Sequence, residues 1–164
     1  MRRHNVVLAA ITSRKGSDTQ AGFTLVELMV IVAIVSILMV IALPAYLDYV
    51  TRSKIGEGMV FVAEAKTTVS EYYHSNYDMP TSNAQAGLPD AANYSRYDYI
   101  SRLTLSTVPR PGTIVVTFKL PNTVVDGRKL QLVPDTSGDY VIWTCEPASD
   151  NPIQNQYIPP NCRS

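Results

Sequence analysis

The sequence predicts an α+β protein: a long N-terminal helix, apolar over its first half and amphipathic over its second, packed against an antiparallel sheet of three to four strands. Three observations predict it. Phe23 to Leu43 reads FTLVELMVIVAIVSILMVIAL, 21 residues with Glu27 as the sole charge. An apolar stripe at helical spacing follows it, and the last third of the chain alternates apolar and polar residues at the period of a strand.

The apolar block is the first element. At 1.5 Å per residue it makes roughly 31 Å of helix, close to the thickness of a bilayer's hydrocarbon core. A secretory signal peptide has a shorter apolar core followed by a small-residue cleavage site, whereas Pro44, Ala45 and Tyr46 follow here. The block therefore reads as an anchor that is retained. Pro44 removes one helical hydrogen bond and favours a bend. Glu27 has two readings on the residues alone. A carboxylate in a membrane helix costs a few kcal/mol. It either snorkels from the first turn to the interface, or it awaits a cation from another chain. A free α-amino group at Phe23, released by a cut after Gly22, is such a cation, and pairing with it fixes one axial register between packed helices.

The second element continues the helix. Ile55, Met59, Val62, Val69 and Tyr73 form one face, and Asp48 and Arg52 stand at i, i+4 in the favourable order. Gly56 and Gly58 weaken this stretch and serve either as a joint or as a point of close contact. The pattern stops near Asn76, with Pro80 beyond it. Residues 77–98 read as loop, with two prolines and a glycine.

The sheet is expected over about 99–145. Ser101–Thr107 is its weaker strand. Thr113–Leu120 sets Ile114, Val116, Phe118 and Leu120 on one face. Lys129–Val133 follows a hairpin turn expected at Asp126-Gly127. Tyr140–Cys145 sets Val141, Trp143 and Cys145 on a common face. Glu146–Ser164 has four prolines and no strand pattern.

Composition narrows the function. The chain carries 14 basic and 14 acidic residues and no net charge. Residues 1–22 hold Arg2, Arg3, Arg14 and Lys15 against Asp18, which is 4 − 1 = +3, so the remainder sums to −3. Without a basic excess, no specific nucleic acid is expected as a partner. His4 and His74 are isolated, and Cys145 and Cys162 form no CxxC pair, so neither a metal site nor a cofactor is expected. No nucleophile elbow, HExxH, P-loop or dinucleotide fingerprint occurs, no catalytic residue is assigned, and the protein is not expected to be an enzyme. The ten tyrosines suit either surface contacts or half-buried packing. The two cysteines are either separate buried thiols or a disulfide, which persists only in an oxidising compartment.

The run Gly22-Phe23-Thr24-Leu25-Val26-Glu27, followed by an apolar helix and Pro44, resembles the N-terminal signature of type IV prepilins. The resemblance implies a leader, 1–22, removed by a prepilin peptidase that cuts between Gly22 and Phe23 and methylates the Phe23 amine. It also implies that Glu27 and Pro44 serve assembly, Glu27 by pairing with the Phe23 amine of a neighbouring copy. The expected organisation is then 23–44 as the membrane and assembly helix, 45–76 as its amphipathic half, and 77–164 as a globular head with the roll of that family. Trp143-Thr144-Cys145 and the ending Ile158-Pro159-Pro160-Asn161-Cys162 resemble the disulfide-bounded C-terminal region of these pilins, which implies a Cys145–Cys162 bond closing the loop 145–162. Two features depart from the common pattern: the leader is long, and Ser36 stands where many members have glycine.

The implied function is the structural subunit of a type IV pilus, a surface fibre (fimbrium) used in adhesion, twitching motility or DNA uptake. Its implied partners are copies of itself in a helical fibre, the peptidase and methylase, the assembly machinery of the inner membrane, and lipid before assembly, with the head in the periplasm. The alternatives are a minor pilin or type II secretion pseudopilin and, from another class, a singly anchored periplasmic enzyme or binding protein.

Overall fold

A computed structural model describes residues 22–138 and 140–163; the rest of the expected leader, residues 1–21, lies outside them. The chain divides into two units, one ending at Val40 and the other running from Ile41 onward.

One helix, α1 (Leu25–Asn76), passes through both units and continues through Pro44. It is capped at its start, where the Thr24 hydroxyl accepts from the Glu27 N–H at 3.2 Å. It stops where Tyr77 turns to φ 56°, and the Tyr77 N–H closes the last turn on the Tyr73 carbonyl.

In the second unit, α1 supplies one wall of the core. Ile55, Val62 and Val69 of the expected stripe are fully buried, and Met59 and Tyr73 pack partly against them. Thr51, Gly58 and Ala65 are buried on the same face, Gly58 and Ala65 in the gaps between the large residues and Thr51 just before them. Gly58 is there because the sheet comes close. A Cβ at that position meets the Phe118 ring at 3.1 Å and Ile100 at 3.4 Å. Gly56 faces open space.

The other wall is a four-stranded antiparallel sheet in chain order: β1 (Ile100–Ser106), β2 (Thr113–Phe118), β3 (Lys129–Asp135) and β4 (Ile142–Pro147). Ile114, Val116 and Phe118 all point to the core and are fully buried, as their alternation predicts. Registers such as Leu105 with Ile114, Val116 with Leu130 and Leu132 with Cys145 hold the faces in phase.

Three expectations need correction. The hairpin turn expected at Asp126-Gly127 is only the end of a longer β2–β3 connection, the ten-residue loop 119–128. Asp126 folds back to accept the Leu120 N–H at 2.9 Å, and Gly127, at φ 70°, returns the chain to pairing with Phe118. The last strand starts two residues later than expected, at Ile142, and extends to Pro147. Asp48 does not hold Arg52: its carboxylate accepts from the Tyr157 hydroxyl at 3.2 Å.

The loop 77–98 contains α2 (Asn83–Ala86) and a 3-10 helix, Ala91–Arg96. Asn83 ties it to β1. Its amide donates to the Pro89 and Leu103 carbonyls at 2.9 Å each, and its carbonyl accepts from the Leu105 N–H at 2.8 Å. Cys145 and Cys162 are bonded, with their Cα atoms 4.5 Å apart, and Cys162 is buried.

Candidate assembly site

The first unit has no core of its own. Every described residue from Gly22 to Val40 is exposed, including Leu25, Val26, Ile34 and Ile37. The most apolar window of α1 has a mean hydropathy of 3.0 and none of it is buried. Large aliphatic side chains gain about 1.5–3 kcal/mol each on full burial, so this helix forgoes on the order of tens of kcal/mol until lipid or other helices cover it. Its length and composition let it cross a membrane.

Glu27 sits at the third position of this helix, three residues after the cap Thr24. That spacing is a capping-box pattern, T-x-x-E, and the negative charge lies at the end of the helix where the backbone dipole favours it. Only half of the box is made. The Glu27 N–H reaches the Thr24 hydroxyl, while the Glu27 carboxylate has no partner among the described residues. The geometry therefore fixes the backbone at Glu27 and leaves its acid free, one turn from Phe23. Phe23 is itself 72% exposed, and the Gly22–Phe23 bond lies outside the helix, in an exposed stretch.

Pro44 lies further along α1, in the other unit. Lacking an N–H, it leaves the Val40 carbonyl without its helical donor. Four residues before Val40, the Ser36 hydroxyl donates to the Val32 carbonyl at 2.7 Å, a local bond that neither adds to nor replaces the missing one. Gly22, Phe23 and Glu27 thus cluster at one helix end, Pro44 is separate, and Cys145 and Cys162 form the bond at the far end of the sequence.

In the second unit the polar groups are structural. Trp143 donates from its indole to the Ser70 hydroxyl at 3.2 Å, fastening β4 to α1. Burial first, then Glu64 and Tyr97, push the Tyr94 phenol up to about 12, so it stays neutral in the core. Hydrogen bonds from Ser137, backbone first, hold the Asp135 carboxyl below its ordinary range, with the Arg110 guanidinium 3.2 Å away adding to the effect. His74 is exposed in the last turn of α1 beside Tyr73. Among the described residues no group of His, Cys, Asp and Glu is placed to hold a metal.

Sequence reasoning missed Thr24 as a cap, although T-x-x-E was legible. It also missed Tyr157 as the partner of Asp48, for which no local signal exists, since the two stand 109 residues apart.

Comparison with known proteins bears on both units. Residues 51–163 match the family described as pilin (bacterial filament), and residues 18–43 match the prokaryotic N-terminal methylation motif. The chain is 36% identical to the fimbrial protein EcpC of Eikenella corrodens over 90% of its own length and 93% of that protein's. It is 29% identical to the type IV major pilin protein PilE1 of Neisseria gonorrhoeae, covering 88% and 94% of the two chains. It is also 29% identical to the type IV major fimbrial protein FimA of Dichelobacter nodosus, covering 74% and 85%.

Proposed function

The chain belongs to the pilin family, and from that premise we propose that it is the repeating subunit of a type IV pilus, made as a precursor and packed into the fibre through its N-terminal helix. The observation that carries this reading is the wholly exposed apolar first half of α1 with one free carboxylate in its first turn. A structural role needs no active site, and the family is a structural one.

Processing follows from the chemistry of the helix end. A prepilin peptidase hydrolyses the Gly22–Phe23 amide: water adds to the Gly22 carbonyl, Gly22 leaves as a carboxylate, and Phe23 is left with a protonated α-amine. Such an amine has an ordinary pKa of about 8, so it is cationic at neutral pH, and N-methylation keeps the charge. That matters because Glu27 of the next subunit needs a cation, and in the precursor the Phe23 nitrogen is only an amide. Cleavage thus creates the partner that the free Glu27 carboxylate lacks. Before assembly the apolar helix sits in the inner membrane with the head in the periplasm. The assembly machinery there then moves the subunit into a surface fibre. Adhesion, twitching motility and DNA uptake are all uses that such a fibre supports.

The repeating role is favoured over a minor pilin or a secretion pseudopilin by the Cys145–Cys162 bond and by the relatives named as major subunits. Intact-mass and N-terminal analysis of protein sheared from the cell surface tests the proposal. The expected product is abundant, begins at methylated Phe23 and is two hydrogens light for the disulfide. A chain that keeps its leader and stays with the membrane fraction refutes it.

A further inference from the structure

Past the apolar block, α1 does not become polar at once. Tyr46 and Tyr49 are 64% and 72% exposed, and Leu47 is exposed beside them. Counting from Leu43 at 1.5 Å per residue, these positions lie about 4–9 Å beyond the end of the block, the depth of a headgroup layer. Tyrosine is enriched at that depth because its ring is apolar and its hydroxyl takes water or phosphate.

A second, distant stretch of the chain meets α1 beside Leu47. Leu47 and Val50 of α1 share one cleft with Thr123, Val124 and Tyr157. Val124 is 55% exposed, while its neighbour Val125 is buried in the core. The loop that presents Val124 outward is tied down at several points. The Thr123 hydroxyl donates to the Leu120 carbonyl at 2.7 Å, Asp126 accepts from the Leu120 N–H, and the Arg128 guanidinium reaches the Val124 carbonyl at 3.4 Å and Asn151 at 2.8 Å. The apolar tip is therefore held in the open by a built loop.

We propose that Tyr46, Tyr49, Leu47 and the tip of the 119–128 loop at Val124 form a lipid-seating face, on which the head rests against the bilayer surface before the subunit is assembled. The inference rests on the reading of the apolar block as a membrane anchor. Continuity with that anchor is what selects lipid as the occupant: the helix leaves the bilayer only three residues before Tyr46. Lys54 lines that cleft and the Arg128 guanidinium lies against the Val124 carbonyl, so both set a cation beside this face for lipid phosphates.

The test uses the full chain in vesicles of phosphatidylcholine and phosphatidylglycerol, with tryptophan as the reporter. The chain has one tryptophan, Trp143, which is bonded to Ser70. Ser70 is 27 residues beyond Leu43, about 40 Å along the helix, so wild-type Trp143 reports a region far from the bilayer. Val124→Trp and Val35→Trp are each made together with Trp143→Phe. Lipids spin-labelled in the headgroup or in the acyl chain serve as quenchers. We expect Val35→Trp to be quenched by the acyl label. Val124→Trp should be blue-shifted and quenched severalfold more by the headgroup label than Trp143 is. If Val35→Trp is quenched and Val124→Trp responds no more than Trp143, the anchor stands and the lipid-seating face is wrong. An emission shift at Val124→Trp that tracks the protein-to-lipid ratio, without headgroup quenching, assigns the face to a second copy and overturns the proposal. Failure of Val35→Trp to respond removes the anchor and this inference together.

Discussion

Opening the Cys145–Cys162 bond probes how the C-terminal segment is held. The bond joins the middle of β4, where Cys145 faces Leu132, to a buried Cys162 in the last 3-10 turn, 17 residues later. A loop of that size restrains the unfolded chain by about 3 kcal/mol in the entropy treatment. The second unit, from Ile41 onward, has roughly 120 residues. At about 2.1 cal/mol/K per residue its unfolding entropy is near 0.25 kcal/mol/K, so losing about 3 kcal/mol lowers Tm by about 12 °C.

Contacts within the loop localise the damage. Its first half stays fastened without the bond, because the Lys129 N–H donates to Asn151 and the Lys129 carbonyl accepts from Ile153. The second half keeps the Tyr157–Asp48 hydrogen bond and the burial of Ile158. The double variant Cys145→Ala, Cys162→Ala should therefore unfold about 12 °C earlier, followed by near-UV circular dichroism of the full chain in detergent micelles. Limited proteolysis should cut first within 154–163. A Tm within about 2 °C of wild type, where a 3 kcal/mol loss is expected, means that the bond does not restrain the unfolded chain as argued. Early cuts at 146–153 instead contradict the role given to Lys129.

Three further changes test the helix. Glu27→Ala should insert into membranes as well as wild type or better, yet assemble poorly. Leaving a buried charge unpaired costs about 3–5 kcal/mol, a hundredfold or more in assembly, and normal fibre yield on the cell surface would rule out the register role. Gly58→Val should destabilise the second unit by about 1–3 kcal/mol, because its side chain overpacks against Phe118. Gly56→Ala, which meets nothing within 4 Å, should stabilise the same helix by up to about 1 kcal/mol. Equal melting temperatures for these two variants would contradict the close approach of helix and sheet at Gly58.

Much of this architecture was legible because each regular element shows its buried face in its own period. The β2 alternation marked Ile114, Val116 and Phe118, and all three are core. The helix stripe was found through its large residues, Ile55, Val62 and Val69, but its small ones were not. Thr51, Gly58 and Ala65 carry little apolar surface, so no hydropathy pattern marks them as contact points, though two of the gaps in the stripe fall where they lie. Asn83 was illegible for another reason. Its partners Leu103 and Leu105 are 20 and 22 residues away, and which loop asparagine will satisfy a strand edge depends on the folded path. The same applies to the 119–128 loop. Its Asp-Gly pair resembled a hairpin signal, but Asp126 is used to bond Leu120 across a longer loop. The roles proposed for Phe23 and Glu27 rest on the lone charge in the apolar block together with the motif, since periodicity marks only where a helix is apolar.

If the apolar block packs against copies of itself, as proposed, the single charge in it suffices to set a register. Apolar burial is non-directional, so a helix that is apolar all round can slide along identical neighbours with little change in covered area. Moving one turn, about 5.4 Å, exchanges one aliphatic contact for another. The same step separates a Glu27 carboxylate from a neighbouring Phe23 amine and leaves both charges unpaired in an apolar surrounding, which costs several kcal/mol. On the proposed reading, the aliphatic residues supply the cohesion of the fibre and Glu27 selects the register. The cap at Thr24 then has a definite purpose: by taking the Glu27 N–H it fixes where the helix starts, and so where the carboxylate stands relative to Phe23. A second acid in the block would add a competing register, and the run from Phe23 to Leu43 contains none.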